Sequence, residues 1–287
     1  SFDPAWERIA QHFDVLFTTE HSIDQLKQTI LQLAVMGKLV PQDPNDEPAS
    51  VLLEKIAAEK EQLIKDGKIK KQKTLPPISE DEKPFELPVG WEWVRFGQLF
   101  KSFSNGLYKA AKFYTDDGLI SLRMYNIQGG QIVFNNVRRV ECTDAELVQF
   151  SLEEDDLLIN RVNSKELVGK TALIPHSQET LVYESMNMRA KPYSKHVYSP
   201  YLNLFMQSAL AREMIFSFAK EAVGQASINQ GQVSSLLTPL PPRNEDYRIV
   251  AKVDELMSLC DTLKSRISES QTTQLHLADA MAEQALN

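Results

Sequence analysis

The amino-acid sequence predicts an α+β fold, on three observations. Two segments before residue 87 carry apolar residues at helical spacing. The stretch from Pro88 to Pro241 breaks into short β-rich runs separated by glycines, and after Pro242 neither Gly nor Pro interrupts the chain. The expected parts are a helical N-terminal segment and linker (residues 1–87), a mixed α/β middle (88–241) and a long C-terminal helix with coiled-coil patterning (242–287). At 287 residues, 43% of them hydrophobic, the chain can bury a sizeable core.

Ser22-Ile23-Asp24-Gln25 has the spacing of a capping box. Ile23, Leu26, Ile30, Leu33 and Ala34 then recur at three- and four-residue steps until Gly37, which predicts an amphipathic helix with a glycine stop. Pro41, Pro44 and Pro48 mark an irregular acidic loop. A second helix is expected from about Ser50 to Asp66, with Leu52, Leu53, Ile56, Ala57 and Leu63 on one side and Gly67 after its end. The basic run Lys68-Ile69-Lys70-Lys71-Gln72-Lys73 leads into Pro76-Pro77 and the acidic Glu80-Asp81-Glu82, and reads as a solvated linker.

Within the middle, strands are expected at Trp91 to Phe96, Leu119 to Met124, Gln131 to Phe134, Asp156 to Arg161 and Thr171 to Ile174. One helix is expected from Ser199 through about Glu221, with Pro200 in its first turn and Leu204, Phe205, Ala209, Leu210, Ile215 and Phe216 as its apolar residues.

Beyond the prolines, alternating steps of four and three residues pick out Ile249, Val253, Leu256, Cys260, Leu263, Ile267, Ser270, Gln274, Leu277 and Met281. That is a heptad seam. A continuous helix here would be about 60 Å long, and its apolar stripe needs a partner. The seam residues expected to pair are Ile249, Val253, Leu256, Leu263, Ile267, Leu277 and Met281; packing on the chain's own core is the alternative.

Charge is distributed unevenly. Residues 1–87 hold 11 Lys and Arg against 16 Asp and Glu, residues 88–241 hold 15 of each, and 242–287 hold 5 against 8. With a formal net charge of −8, any nucleic-acid site must be a local patch in the neutral middle. Cys142 and Cys260 are too few for a disulfide scaffold and lie in no Cys-x-x-Cys pair. No apolar run approaches membrane-spanning length and Ser1 opens no signal peptide, so a soluble, cytoplasmic protein is expected.

Catalytic patterns fail on inspection. Ser164-Lys165-Glu166-Leu167-Val168-Gly169-Lys170-Thr171 ends like a phosphate loop, but a serine stands where the first glycine belongs. The continuation to Pro175 is strand-like where a helix is required, so a hairpin is expected. His12, His21, His176, His196 and His276 are scattered without metal-ligand spacing. Asp81-Glu82-Lys83 mimics part of a nuclease triplet but falls in a proline-bounded linker, and Glu153-Glu154-Asp155-Asp156 reads as a turn and not a cation loop.

Binding chemistry is better represented. Lys101, Phe103, Tyr108, Lys109, Lys112, Phe113, Tyr114, Arg123, Tyr125, Arg138 and Arg139 interleave cations with aromatics, and Asn105, Asn126, Gln128, Gln131, Asn135 and Asn136 lie among them. Lysines neutralise phosphates, whereas Arg, Asn and Gln can make two-point hydrogen bonds to base edges. A second amide-rich loop runs from Gly224 to Gln232, carrying Gln225 and Asn229; it could equally be a cap and turn.

Taken in order, several segments resemble the DNA-specificity subunits of type I restriction-modification enzymes. They are Leu26 to Pro41 (LKQTILQLAVMGKLVP), Leu87 to Val94 (LPVGWEWV), Asp156-Leu157-Leu158-Ile159, Leu167-Val168-Gly169-Lys170, the Gly224 to Gln230 loop, and Leu240-Pro241-Pro242 leading into Arg248 to Leu256. Glu245-Asp246 departs from the Glu-Gln usual in that family. Members also usually carry two recognition domains and two long helices in tandem, where this chain has one of each, so a truncated subunit or a natural half-subunit is expected.

The resemblance implies a non-catalytic chain whose middle domain reads one half of a bipartite site in double-stranded DNA. It implies a long helix that pairs antiparallel with an equivalent helix, from a second recognition half or a homodimer, and docks methyltransferase subunits, through them the restriction subunit. It implies no cofactor in this chain, since the methyl donor and ATP bind to partners. The residues expected at the DNA are Asn105, Lys109, Lys112, Arg123, Tyr125, Asn126, Asn160, Arg161, Asn163, Lys165, Lys170, Gln225 and Asn229. A helical assembly adaptor whose middle domain binds protein is the alternative reading.

Overall fold

The computed structural model describes residues 17–222 and 224–286; His12 lies outside them. Helix α1 (Glu20–Val35) starts three residues earlier than the capping-box spacing suggests. Thr19 is the cap, its hydroxyl accepting from the Ser22 amide, and Ser22 reciprocates from the third helical position. Ile23, Leu26, Ile30, Leu31, Ala34 and Val35 form its buried face. Gly37 then turns the chain at φ +66°, where an added Cβ would stand 2.5 Å from the Pro88 ring, so both conformation and space demand glycine. Helix α2 (Ala49–Lys65) buries Leu52 and Ile56.

Among the described residues the strands that follow are short: β1 (Glu92–Arg95), β2 (Phe100–Asn105), β3 (Tyr114–Thr115), β4 (Leu119–Leu122), β5 (Ile127–Gln128), β6 (Gln131–Ile132), β7 (Arg138–Val140), β8 (Leu157–Asn160), β9 (Val162–Asn163), β10 (Thr171–Leu173), β11 (Leu181–Tyr183), β12 (Asn187–Pro192), β13 (Lys220–Ala222), β14 (Gln225–Ser227) and β15 (Leu237–Leu240). Between them lie α3 (Asp144–Phe150), α4 (Ser199–Gln207), α5 (Ala209–Phe218) and α6 (Gln230–Ser234), and α7 (Arg243–Leu286) follows β15.

The central antiparallel sheet has the order β10-β8-β12-β2, with Met188 opposite Ile159 on one side and Asn105 on the other. A second sheet, β11-β4-β7-β3, pairs β11 with β4 in parallel. A small sheet joins β13, β14 and β9, and β5 pairs with β6. Strands β1 and β15 pair antiparallel from Glu92 opposite Leu240 to Arg95 opposite Leu237, so the two ends of the middle segment meet.

The helix expected through residue 221 is two helices. Ser208 leaves helical geometry at ψ 156°; its buried hydroxyl donates to the Phe205 carbonyl at 2.6 Å and accepts from the Ala211 amide, ending α4 and capping α5. The chain beyond Phe218 is strand β13. Strands β2 and β12 and helix α3 are further elements that the sequence patterns do not single out.

One hydrophobic core runs through α1, α2, the central sheet, α4, α5 and the first half of α7, joining Ile23, Ile56, Phe96, Phe205 and Ile249. A smaller cluster of Leu122, Ile127, Leu158 and Tyr183 lies between the two larger sheets. The long helix divides along its length. Ile249, Val253 and Cys260 are buried, with Leu256, Leu263 and Ile267 packed beside them, and ion pairs from Lys27 to Asp261 and from Lys264 to Asp24 bind α7 to α1. Further on, Leu275, Leu277 and Met281 are exposed. The first half of the seam is thus filled by the chain itself, which removes Ile249 and Val253 from the residues expected to pair with a partner.

Candidate nucleic-acid interface

One tight turn, Glu184-Ser185-Met186 between β11 and β12, gathers the loop ends of the middle segment. The Leu107 amide donates to Tyr183 at 2.8 Å and the Ser185 amide to Leu107 at 2.9 Å, bringing in the chain after β2. The Arg161 amide donates to the Met186 carbonyl (2.8 Å) and its guanidinium to the Ser185 carbonyl (3.0 Å), bringing in the end of β8. The Glu184 amide donates to Leu122 at the end of β4, and its carboxylate sits 2.8 Å from the Arg123 guanidinium. The Ile228 amide donates to the Arg161 carbonyl, and the Gln230 side chain donates to Asn105, drawing in the amide-rich loop. Gly106 makes this convergence possible: a Cβ there would stand 2.3 Å from the Glu184 carbonyl oxygen.

Around the turn lies a cleft of about 230 Å³ bordered by Tyr108, Arg123, Tyr125, Glu184 and Met186. Tyr108 is 86% exposed and Met124 and Met186 are each 39% exposed, and together they give the cleft an apolar rim. Arg123 lies over the Tyr125 ring, 5.4 Å from its centre, and the Tyr125 hydroxyl donates to the Asn136 carbonyl. Tyr114 donates to Glu184 at 2.9 Å, and burial with that carboxylate pushes its pKa up to about 12.

The expected contact residues fall into three groups. Asn105, Arg123, Tyr125, Arg161, Gln225 and Asn229 stand on or beside the convergent loops with accessible surface; Asn229 also caps α6 by accepting from the Gln232 amide. Lys165 and Lys112 are exposed farther out, Lys165 paired with Glu221 at 2.5 Å and Lys112 beside Phe113 on the loop before β3.

The remaining five are engaged within the fold, and two of them, Asn126 and Asn160, are corrected. Asn126 and Asn160 have no exposed surface. The Asn126 amide donates to the Val133 and Asn135 carbonyls and that of Asn160 to Val162 and Met186, so both shape loops from beneath. Asn163 spends its amide on Asn160 and its oxygen on the Ser164 amide. Lys109 is nearly covered, paired with Glu146 at 2.7 Å and lying over Phe113. Lys170 is half-buried, and burial draws its pKa down.

Tyr108, Met186 and Gln230 join the surface without being among the expected contacts. Tyr108 stands in the cation–aromatic run and Gln230 in the amide-rich loop as visible signals; Met186 carries none, because only the fold brings it to this surface. The phosphate-loop mimic runs into a strand and not a helix: Thr171 lies in β10, its buried hydroxyl donating to the buried Asn203. Among the described residues, no three His, Cys, Asp or Glu side chains form a metal-binding group.

Fold and surface together define a module that holds a loop cluster outward on sheets braced by a helical frame. The chain belongs to the type I restriction modification DNA specificity family, whose domain matches residues 88–270. It is 45% identical over 284 residues to the type I restriction enzyme EcoAI specificity subunit of Escherichia coli and 40% identical over 286 residues to the EcoEI specificity subunit of the same species. Each match covers 98% of this chain and 48% of the relative, so the chain spans about half the length of the curated relatives it matches. The crystal structure of the HsdS subunit from Thermoanaerobacter tengcongensis shares the fold, with a TM-score of 0.55 at 17% identity over 99% of this chain and 55% of that one. No helix among the described residues is long and apolar enough to cross a membrane.

Proposed function

We propose that this chain is the non-catalytic DNA-reading part of a type I restriction-modification complex. In this reading residues 88–241 recognise one half of a bipartite site in double-stranded DNA. The segment 242–287 pairs with an equivalent helix and docks methyltransferase subunits, which engage the restriction subunit and carry out the chemistry. The observation that carries the proposal is the convergence on the Glu184–Met186 turn. It gathers Arg123, Arg161 and Asn105, which can bond base edges, around the cleft that the exposed Tyr108 borders. The division into residues 1–87, 88–241 and 242–287 belongs to the proposal and is supported by the β1–β15 closure.

The test is selection. A random-sequence duplex pool is equilibrated with the chain and the retained DNA is sequenced, then affinity is measured against salt. A short enriched motif and an affinity falling steeply with salt are expected. Retention without sequence preference, or binding to a methyltransferase subunit alone, would overturn the reading in favour of an assembly adaptor.

A further inference from the structure

The segment after α2 is less free than its charge suggests. Ile69, Gln72, Leu75 and Ile78 are half-buried while the residues between them are exposed. A repeat of three is that of an extended polyproline-type chain, so one edge of the segment lies against the domain. Gln72 fixes its position by donating to the carbonyls of Phe100 (3.1 Å) and Lys101 (2.7 Å), where β2 begins. Farther along, Arg95 donates to the carbonyls of Pro76 and Pro77. The solvated linker expected from the charge run is a fixed strap.

Held there, the strap walls a trough of about 940 Å³ whose other wall includes β2 and the start of α6. Lys68, Lys70, Lys71, Lys73, Lys101 and Lys191 border it, and no carboxylate among the described residues does. Lys101 and Lys191 are paired with Glu59 and Glu153, and Lys68 lies 3.4 Å from Asp66. Lys70, Lys71 and Lys73 are exposed and make no ion pair with any described residue. Holding three unpaired cations together on an otherwise acidic N-terminal segment works against their mutual repulsion, and a polyanion relieves it.

Two relationships choose the polyanion. Gln230 borders the trough and also donates to Asn105, so the trough opens directly onto the candidate interface. From Lys70 to Lys73 the extended strap covers about 9 Å, close to the axial rise of about three phosphates in one DNA strand. Lysine point charges on a fixed backbone neutralise phosphates without reading bases.

We infer that the trough seats the sugar–phosphate backbone of the duplex beyond the bases that the loops read. The inference rests on the DNA-reading function proposed above and adds to it a sequence-independent clamp supplied by the strap before the domain.

The experiment compares the full chain with a Lys70→Gln/Lys71→Gln/Lys73→Gln variant and its Lys→Arg counterpart, on the duplex selected by the unaltered chain and on a scrambled duplex. The Gln variant is expected to weaken both duplexes alike, by about tenfold or more, and to make the slope of log K against log salt shallower by about 2.7. The Arg variant is expected to keep affinity and slope, and the selected motif is expected to stay the same in both. An unchanged slope with the Gln variant overturns the clamp while a motif-selecting chain leaves the reading function standing. Failure of the unaltered chain to bind any duplex overturns both.

Discussion

The indole nitrogen of Trp91 donates to the Glu245 carboxylate across 3.0 Å, in a contact closed to solvent at both ends. The other oxygen of Glu245 accepts from Gln42 at 2.7 Å, so the loop after α1, the entry to β1 and the first turn of α7 meet on one buried carboxylate. Burial pushes its pKa up and these two donors oppose the rise. Trp91→Phe leaves the carboxylate with one of its donors, and is expected to cost about 1–3 kcal/mol of unfolding free energy. Urea melts of Trp91→Phe, Glu245→Gln and the double variant check this; the two effects should couple by about 0.5 kcal/mol or more. Simple additivity would mean that the contact contributes nothing specific.

Asp156 gives the fold a pH dependence. Its side chain is buried at the start of β8, where it accepts from the Glu153 amide at 3.0 Å. Burial pushes its pKa up to about 6 from an ordinary 3.8; the hydrogen bond from the Glu153 amide and the charges of Arg189 and Lys191 pull the other way, and the Glu153 carboxylate adds a smaller rise. The native state therefore binds this proton more tightly than the unfolded chain does, and stability falls as pH rises from about 4 through 6. The wholly buried Asp246 is pushed in the same direction. Asp156→Asn keeps the acceptor and removes the charge. The variant is expected to be more stable at pH 7 by about 2 kcal/mol and to lose part of that slope, which urea midpoints between pH 4 and 7 would show. A slope identical to that of the unaltered chain would remove Asp156 as its source.

Periodicity makes α1, α2 and α7 legible in the sequence, because each buries a stripe spaced at three and four residues. It fails where burial is polar. Strand β12 alternates correctly, with Met188 and Ala190 buried between Arg189 and Lys191, but the buried Asn187 at its start and Pro192 at its end disguise it. The apolar pattern of α4 runs straight on into α5, and only the hydrogen bonds of the buried Ser208 break it. At the interface the chemical types are readable from the residues and their accessibility is not. Asn160 and Gln225 look alike in sequence; one is spent on carbonyls inside the turn and the other faces water.

That contrast separates a residue that positions the loops from one available to DNA. Asn160→Ala strips donors from the Val162 and Met186 carbonyls and an acceptor from Asn163, so it is expected to lower stability by about 1–3 kcal/mol. Gln225→Ala removes an exposed side chain and is expected to leave stability within about 0.5 kcal/mol. If Gln225 meets a base edge, the same substitution weakens the selected duplex and relaxes preference at one position of the motif. Thermal melts and repeated selection on both variants decide it: stability loss at Gln225, or an unperturbed fold at Asn160, would reverse the assignment.

The long helix offers the same separation on a larger scale, because its seam changes owner along its length. Ile249 is wholly buried against the chain's own core, and Ile249→Ala should open a cavity costing about 2–5 kcal/mol. Leu277 and Met281 are 61% and 63% exposed and continue the same heptad register, so Leu277→Ser with Met281→Ser should leave the unfolding free energy within about 1 kcal/mol. Apolar side chains repeated at heptad spacing on a projecting helix are stabilised only when a second helix covers them. Light scattering of the chain alone and with a methyltransferase subunit should therefore show association that the double serine variant weakens and Ile249→Ala affects only through unfolding. Association untouched by the serines would move the pairing surface off this half of α7 and leave its exposed leucines without a role in assembly.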